Sequence, residues 1–148
     1  MHWNGKDSRV FQAQKEYIVT ALIPLILIDG SVDGFPFAAS AADFTLSLAN
    51  TVENQFKGRI VLFPSFSYTS AQDKQSLLAI WKEELIKAGF KHLFFVTSDR
   101  EWNLLSEEEN IIWTPSVPLD SMEQKMKNSV LEDQIRQLIP IFAKKWST

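Results

Sequence analysis

The sequence predicts an α/β fold: a three-layer sandwich in which helices cover both faces of a mainly parallel, four-stranded sheet. Two observations carry that expectation. Two successive units run helix, glycine, strand, the grammar by which crossover helices join parallel strands. The strands themselves, Ile60-Val61-Leu62-Phe63 and Leu93-Phe94-Phe95-Val96, are apolar at consecutive positions, so both of their faces need cover. A chain of 148 residues suits one domain, 1–148, around one core.

Each element has its own signal. Asp7 reads as the N-cap of a first helix reaching about Tyr17. Leu22-Ile23-Pro24-Leu25-Ile26-Leu27-Ile28 is strand one. Pro24 cannot donate a ladder hydrogen bond, so it belongs at the strand's start, at a bulge or on an edge. Asp29 to Pro36 is a loop by its turn chemistry. Ser40 and Asp43 have the spacing of a helix start, and Phe44, Leu48, Val52 and Phe56 then fall four apart as one apolar stripe. Gly58 ends that helix, and strand two follows it directly.

The second unit opens at Ser70 and Asp73, buries Leu77, Leu78, Trp81, Leu85 and Ala88, and ends at Gly89 with Phe90 over the last turn. Strand three follows. A short helical turn over Glu101 to Leu105 leads to a weaker strand, Ile111-Ile112-Trp113, and Pro115 and Pro118 punctuate a loop. From Asp120 the chain is helical, as one helix or as two pieces starting at Asp120 and Ser129, with Pro140 as a kink. The expected strand order is 2-1-3-4, unless Pro24 drives strand one to an edge.

Composition excludes several classes of function. The net charge is −3 and the basic residues are scattered, which leaves no field to attract nucleic acid or an acidic membrane. With no cysteine there is no disulfide, thiol nucleophile or thiolate metal site. The first residues are polar, and the longest apolar run, Tyr17 to Ile28, is interrupted by Pro24 and falls short of the ~20 residues of a membrane span. No membrane insertion and a cytoplasmic location are expected.

The motifs are weak. Asp29, Ser31, Asp33 and Gly34 imitate the first half of a calcium loop, but Ser40 stands where a bidentate Glu is needed and Pro36 falls inside the loop. Gly30 and Gly34 follow strand one, where phosphate loops sit, yet their spacing fits no nucleotide motif and no Lys follows. His2 is terminal, and His92 opens strand three, at the rim of the sheet opposite the one where ligands gather. Glu107-Glu108-Glu109 is an acidic turn. No catalytic residue, cofactor or metal site is expected, and the balance is against an enzyme.

Two features remain as candidates. Asp29 ends strand one, Ser65, Ser67 and Tyr68 follow strand two, and Thr97, Ser98 and Asp99 follow strand three. Parallel strands bring these polar groups to one rim, where a small ligand would bind, although the same residue types also cap helices. Leu138, Ile139, Ile141, Phe142 and Trp146 crowd the last helix beyond what one packed stripe hides, which suggests a protein partner or a homodimer through the C-terminal helix.

The segments Ala13 to Leu25 (AQKEYIVTALIPL), Gln55 to Ser70 (QFKGRIVLFPSFSYTS) and Gly89 to Asp99 (GFKHLFFVTSD) resemble the YpiF-like proteins of Bacillus-type bacteria over nearly the whole chain. That family has no known function and implies no site residues. A looser likeness, in its proline-bearing strand and small-residue helix, is to the interaction domain at the amino terminus of TolB-like proteins. Two functions of different class follow. The one favoured by the missing glycine loop, the absence of cysteine and the misplaced histidine is a non-catalytic protein-interaction module. The other is a small-molecule or nucleotide binder at the carboxyl rim, which a deep pocket there would favour.

Overall fold

The aliphatic and aromatic runs become the middle of the sheet because each can bury side chains on both sides. The computed structural model describes residues 1–104 and 110–147. Among these, β1 (Thr20–Leu27), β2 (Ile60–Leu62), β3 (Phe66–Tyr68), β4 (His92–Thr97) and β5 (Ile111–Trp113) pair in parallel. The order is β2-β1-β4-β5, with β3 also alongside β1. In terms of the four expected strands this is the order 2-1-3-4. The short β3 is a fifth strand beyond the four expected. The helices are α1 (Gly5–Ala13), α2 (Phe35–Gln55), α3 (Lys74–Lys87) and α4 (Gln124–Trp146), and a 3-10 turn spans Arg100–Leu104.

Successive strand residues feed opposite cores. Leu22, Ile60, Leu62, Phe94 and Val96 join Phe44, Leu48 and Val52 of α2 and Leu138 and Phe142 of α4. Ala21, Ile23, Val61, Phe63, Leu93 and Phe95 join Leu78 and Leu85 of α3 and Trp102. The chain steps outward from β1 to β2 with α2 on one face, then returns past β1 to β4 with α3 on the other. Right-handed crossovers require this change of face when the direction reverses. The reversal makes the boundary between β1 and β4 the topological switch point of the sheet.

Pro24 stays in the central strand, opposite Val96 of β4. In a parallel strand alternate residues direct their backbone groups to opposite neighbours. The Leu22 carbonyl accepts from Phe63 N–H, and Ile28 N–H donates to the Tyr68 carbonyl, so even-numbered residues face the β2/β3 side. Pro24 faces that side too, and the gap falls there: Leu22 pairs with Leu62, while Leu25 is already level with Phe66. The missing donor therefore breaks the outer partner into two strands instead of displacing β1.

Helix boundaries depart from expectation mainly at their starts. The cap of α1 is Asn4, whose side chain accepts from Asp7 N–H at 2.7 Å, and the helix stops at Ala13. Asp7 sits in the first turn and accepts from His2 N–H. Helix α2 begins at Phe35 behind Gly34, not at Ser40, because Pro36 supplies a preset φ in its first turn. A Cβ at Gly34 would meet the Asp29 carboxylate at 1.8 Å, so any larger residue there would turn that exposed side chain aside. Asp73 alone caps α3, accepting from Ser76 N–H at 3.2 Å. Gly89 (φ +101) closes α3 as foreseen: its N–H reaches Ile86 O and Phe90 N–H reaches Leu85 O, a Schellman ending. Ala88, expected on the buried face, is exposed. Leu105 and Glu107 to Glu109 lie outside the described residues.

Helix α4 is one helix from Gln124 and continues through Pro140. Its apolar crowding is used within the chain. Phe142 is 0% exposed and Leu138 is buried, with Ile139 and Trp146 packed against the same core. Trp146 donates its indole N–H to the buried Thr20 hydroxyl at 2.7 Å, meets Phe56 edge-on, and carries the Arg59 guanidinium 3.8 Å from its ring centroid. A partner reaching Phe142 would have to lift α4 off the sheet.

At the β2 edge, the Met1 ammonium binds Glu53 Oε1 and the Ile60 carbonyl, each at 2.8 Å, and His2 bridges to Leu62 in parallel. Among the described residues no helix is long and apolar enough to cross a membrane.

Truncating Phe142 to Ala should cost roughly 3–5 kcal/mol in urea denaturation, the range for a fully buried aromatic. A variant as stable as the parent, with a changed mass by light scattering, would instead make Phe142 an interface residue.

Candidate functional site

A cavity of about 550 Å³ opens at the carboxyl rim, on the α2 side of the switch point. Its floor is the end of β1, Leu25 to Leu27. One wall is α2, through Phe37, Ala38, Ala41, Ala42 and Thr45. The other wall is Thr97, Ser98, Asp99 and Arg100 after β4, with Trp113, Pro115 and Ser116 at the end of β5. The space exists because α2 starts with small side chains. Where Phe44 and Leu48 would fill the layer two turns later, Ala38, Ala41 and Ala42 leave it open.

The polar groups around it are ordered from behind. Thr45 Oγ1 and Ser98 Oγ share a buried hydrogen bond of 3.1 Å. Thr97 Oγ1 accepts from Asp99 N–H at 3.1 Å. Asp99 Oδ1 accepts from Glu101 N–H at 3.1 Å, and Asp99 Oδ2 accepts from the Tyr68 phenol. Tyr68 in turn accepts from Trp102 Nε1–H, edge-on to its ring. Tyr68 and Trp102 are fully buried on the α3 face. Burial first, then the hydrogen bond to Asp99, pushes the phenol far above its usual range, so it stays a neutral donor.

Of the rim residues named from sequence, the fold brings Thr97, Ser98 and Asp99 to the cavity. Tyr68 lies behind Asp99 and holds it. Asp29, Ser65 and Ser67 are exposed and do not line the cavity. Asp29 Oδ1 instead accepts from Ser31 N–H at 3.0 Å, which depresses its carboxyl, and Ser31 Oγ accepts from Gly34 N–H at 3.0 Å. Thr45, Arg100, Trp113 and Ser116 were invisible as site residues in the sequence. The signal for the helix wall was Ala38-Ala39-Ser40-Ala41-Ala42, a run too small to fill the layer beside a strand.

Three side-chain atoms near β5 are buried without a hydrogen-bond partner among the described residues: Asn110 Oδ1, Trp113 Nε1 and Thr114 Oγ1. His92 is half-buried at the other end of β4, with burial, then Lys91, Lys145 and Arg59, lowering its pKa. Among the described residues, no three His, Asp or Glu side chains come together to hold a metal ion.

Two measurements test this arrangement. Tyr68→Phe leaves Trp102 N–H buried without an acceptor and should cost about 1–3 kcal/mol. The raised phenol pKa also sets a pH dependence. The folded state keeps the proton that the unfolded chain loses near pH 10, so stability should fall as pH rises above about 10. Denaturation midpoints across that range should show a shallower fall in Tyr68→Phe than in the parent, and parallel profiles would contradict the assignment.

A family model described as a protein of unknown function (DUF2487) matches residues 9–146. An uncharacterized protein of Bacillus subtilis (strain 168), YpiF, is 33% identical over 150 residues, an alignment spanning 100% of this chain and 99% of that protein. No solved structure matches the chain. The resemblance in the strand and loop segments thus extends to full length, and the chain belongs to the DUF2487 family of proteins of unknown function.

Proposed function

We propose that this chain is a cytoplasmic small-molecule binding protein that acts as one α/β unit and holds its ligand in the cavity at the carboxyl rim of the sheet. One observation carries the reading: the cavity lies at the switch point, flanked by the ends of β1 and β4. Open α/β sheets bind ligands outside the carboxyl ends of their strands at that place. Its size lies within the roughly 300–1,000 Å³ of ligand sites, and its apolar walls with a few convergent hydroxyls have the usual composition of such sites.

The test is retention. The protein captured from its native cytoplasm and analysed by native mass spectrometry should carry a small molecule. Ala42→Trp, which fills the cavity, should lose it while keeping the circular dichroism spectrum and a melting temperature within a few degrees of the parent. Equal retention by both proteins would overturn the reading.

A second reading, a protein-interaction module, draws on a different surface. Ile28, Val32, Phe35 and Phe37 are 50%, 92%, 60% and 74% exposed around the β1–α2 turn, more bulky apolar surface than a short loop ordinarily shows. The paired substitution Val32→Ser and Phe35→Ser separates the two. It should abolish a protein partner or a homodimer seated there and leave small-molecule retention intact.

A further inference from the structure

Resting on the reading of the cavity as a ligand site, we propose that its ligand is a small amphipathic anion: an apolar body bearing a carboxylate or phosphate, with Arg100 as the counter-ion. The polar atoms around the cavity divide into those already engaged and those still open, and the two sets differ in kind. The one carboxylate in the lining, Asp99, accepts one hydrogen bond on each oxygen, from the Tyr68 phenol and from Glu101 N–H. Thr97 Oγ1 is engaged by Asp99 N–H. Each of these acceptors already serves a donor of the protein.

The open groups are donors. Arg100 is an exposed residue of the lining whose guanidinium carries a fork of N–H donors, and its neighbour Glu101 is turned to Lys74 Nζ at 2.7 Å. In the Thr45–Ser98 pair one hydroxyl proton bridges the two oxygens, and the hydroxyl that accepts keeps its own proton to give. An acceptor-rich head answers these donors, which an ammonium cannot do.

The rest of the lining sets the body of the ligand. Leu25, Ile26, Phe37 and Ala41 are apolar, and the indole of Trp113 adds an aromatic wall. Burying an apolar body there supplies affinity, while the guanidinium selects the head group. An exposed arginine makes its strongest contacts with a planar carboxylate or with phosphate oxygens.

The experiment uses the full chain and a probe series with one phenylalkyl body: 4-phenylbutyrate, 4-phenylbutanol and 4-phenylbutylamine, with 4-phenylbutyl phosphate as the phosphate arm. Dissociation constants come from calorimetry or from chemical-shift titration. The butyrate should bind about tenfold or more tighter than the alcohol, as a charge-assisted pair implies, with the amine weaker still. Arg100→Gln should erase that preference while leaving the alcohol's affinity and the melting temperature of the ligand-free protein unchanged. Tighter binding of 4-phenylbutyl phosphate than of the butyrate would assign the head as phosphate, the reverse as carboxylate. Alcohol or amine binding as well as the anion, a preference that survives Arg100→Gln, or no anion binding would each overturn the proposal. Those failures are distinct from failure of the cavity itself, which Ala42→Trp reports: if it abolishes binding of the alcohol, the cavity binds ligands and only the charge assignment is wrong.

Discussion

Pro24 sits buried in the central strand β1 with no N–H to give to its neighbour. The consequences run outward from that single missing donor. On its β4 side β1 pairs continuously from Thr20 to Pro24, because the donors needed there belong to the alternate residues. On the other side the partner is interrupted after Leu62 and resumes at Phe66. The resumed segment, β3, ends at Tyr68, whose carbonyl accepts from Ile28 N–H. A proline thus determines where Tyr68 stands at the carboxyl rim.

From that position Tyr68 organises one side of the rim. Its phenol lies between Trp102 and Asp99, accepting from one and donating to the other. Both rings are buried on the α3 face, while Asp99 reaches across to the cavity on the α2 face. The rim therefore has a stiff back, in which each polar atom is satisfied by another, and a roomy front lined with alanines. Such an arrangement keeps the cavity from collapsing: the β4 wall is anchored by hydrogen bonds, and the α2 wall lacks side chains long enough to fill the space. Exposed Phe35 and Phe37 stand at the start of that same helix, so the α2 entrance is apolar both inside and outside.

The C-terminal helix shows how the same pattern yields different readings at two levels. Apolar residues at positions 138, 139, 141, 142 and 146 exceed one narrow stripe, and in a chain read alone that excess points outward. In the fold, α4 lies against both α2 and the sheet, so its buried arc is wider than a helix resting on one neighbour would have. Phe142 reaches Phe94 of β4 and Phe56 at the end of α2, and Trp146 reaches Thr20 of β1. Ile141 alone of the five is left largely in solvent, 41% exposed.

What the sequence determined by itself was whatever depends on local pattern. Consecutive apolar residues announced strands covered on both faces, Gly89 with Phe90 announced the close of α3, and the repeat of helix and strand announced parallel strands, whose order the fold decided. Helix starts were less legible, because Ser40, Ser70 and Ser129 imitate caps and only the path of the chain shows which polar residue meets a free N–H. The rim residues Thr97, Ser98 and Asp99 could be named because strand ends are local. Arg100, Thr45, Trp113 and the alanines of α2 could not, since a cavity is a volume left between elements distant in the chain. Whether a polar atom is engaged or open, as with Asp99 and Trp113, likewise depends on neighbours brought in from other strands. Tertiary structure alone decided those features, for the physical reason that packing density and hydrogen-bond satisfaction are properties of three-dimensional neighbours and leave no periodicity in the chain.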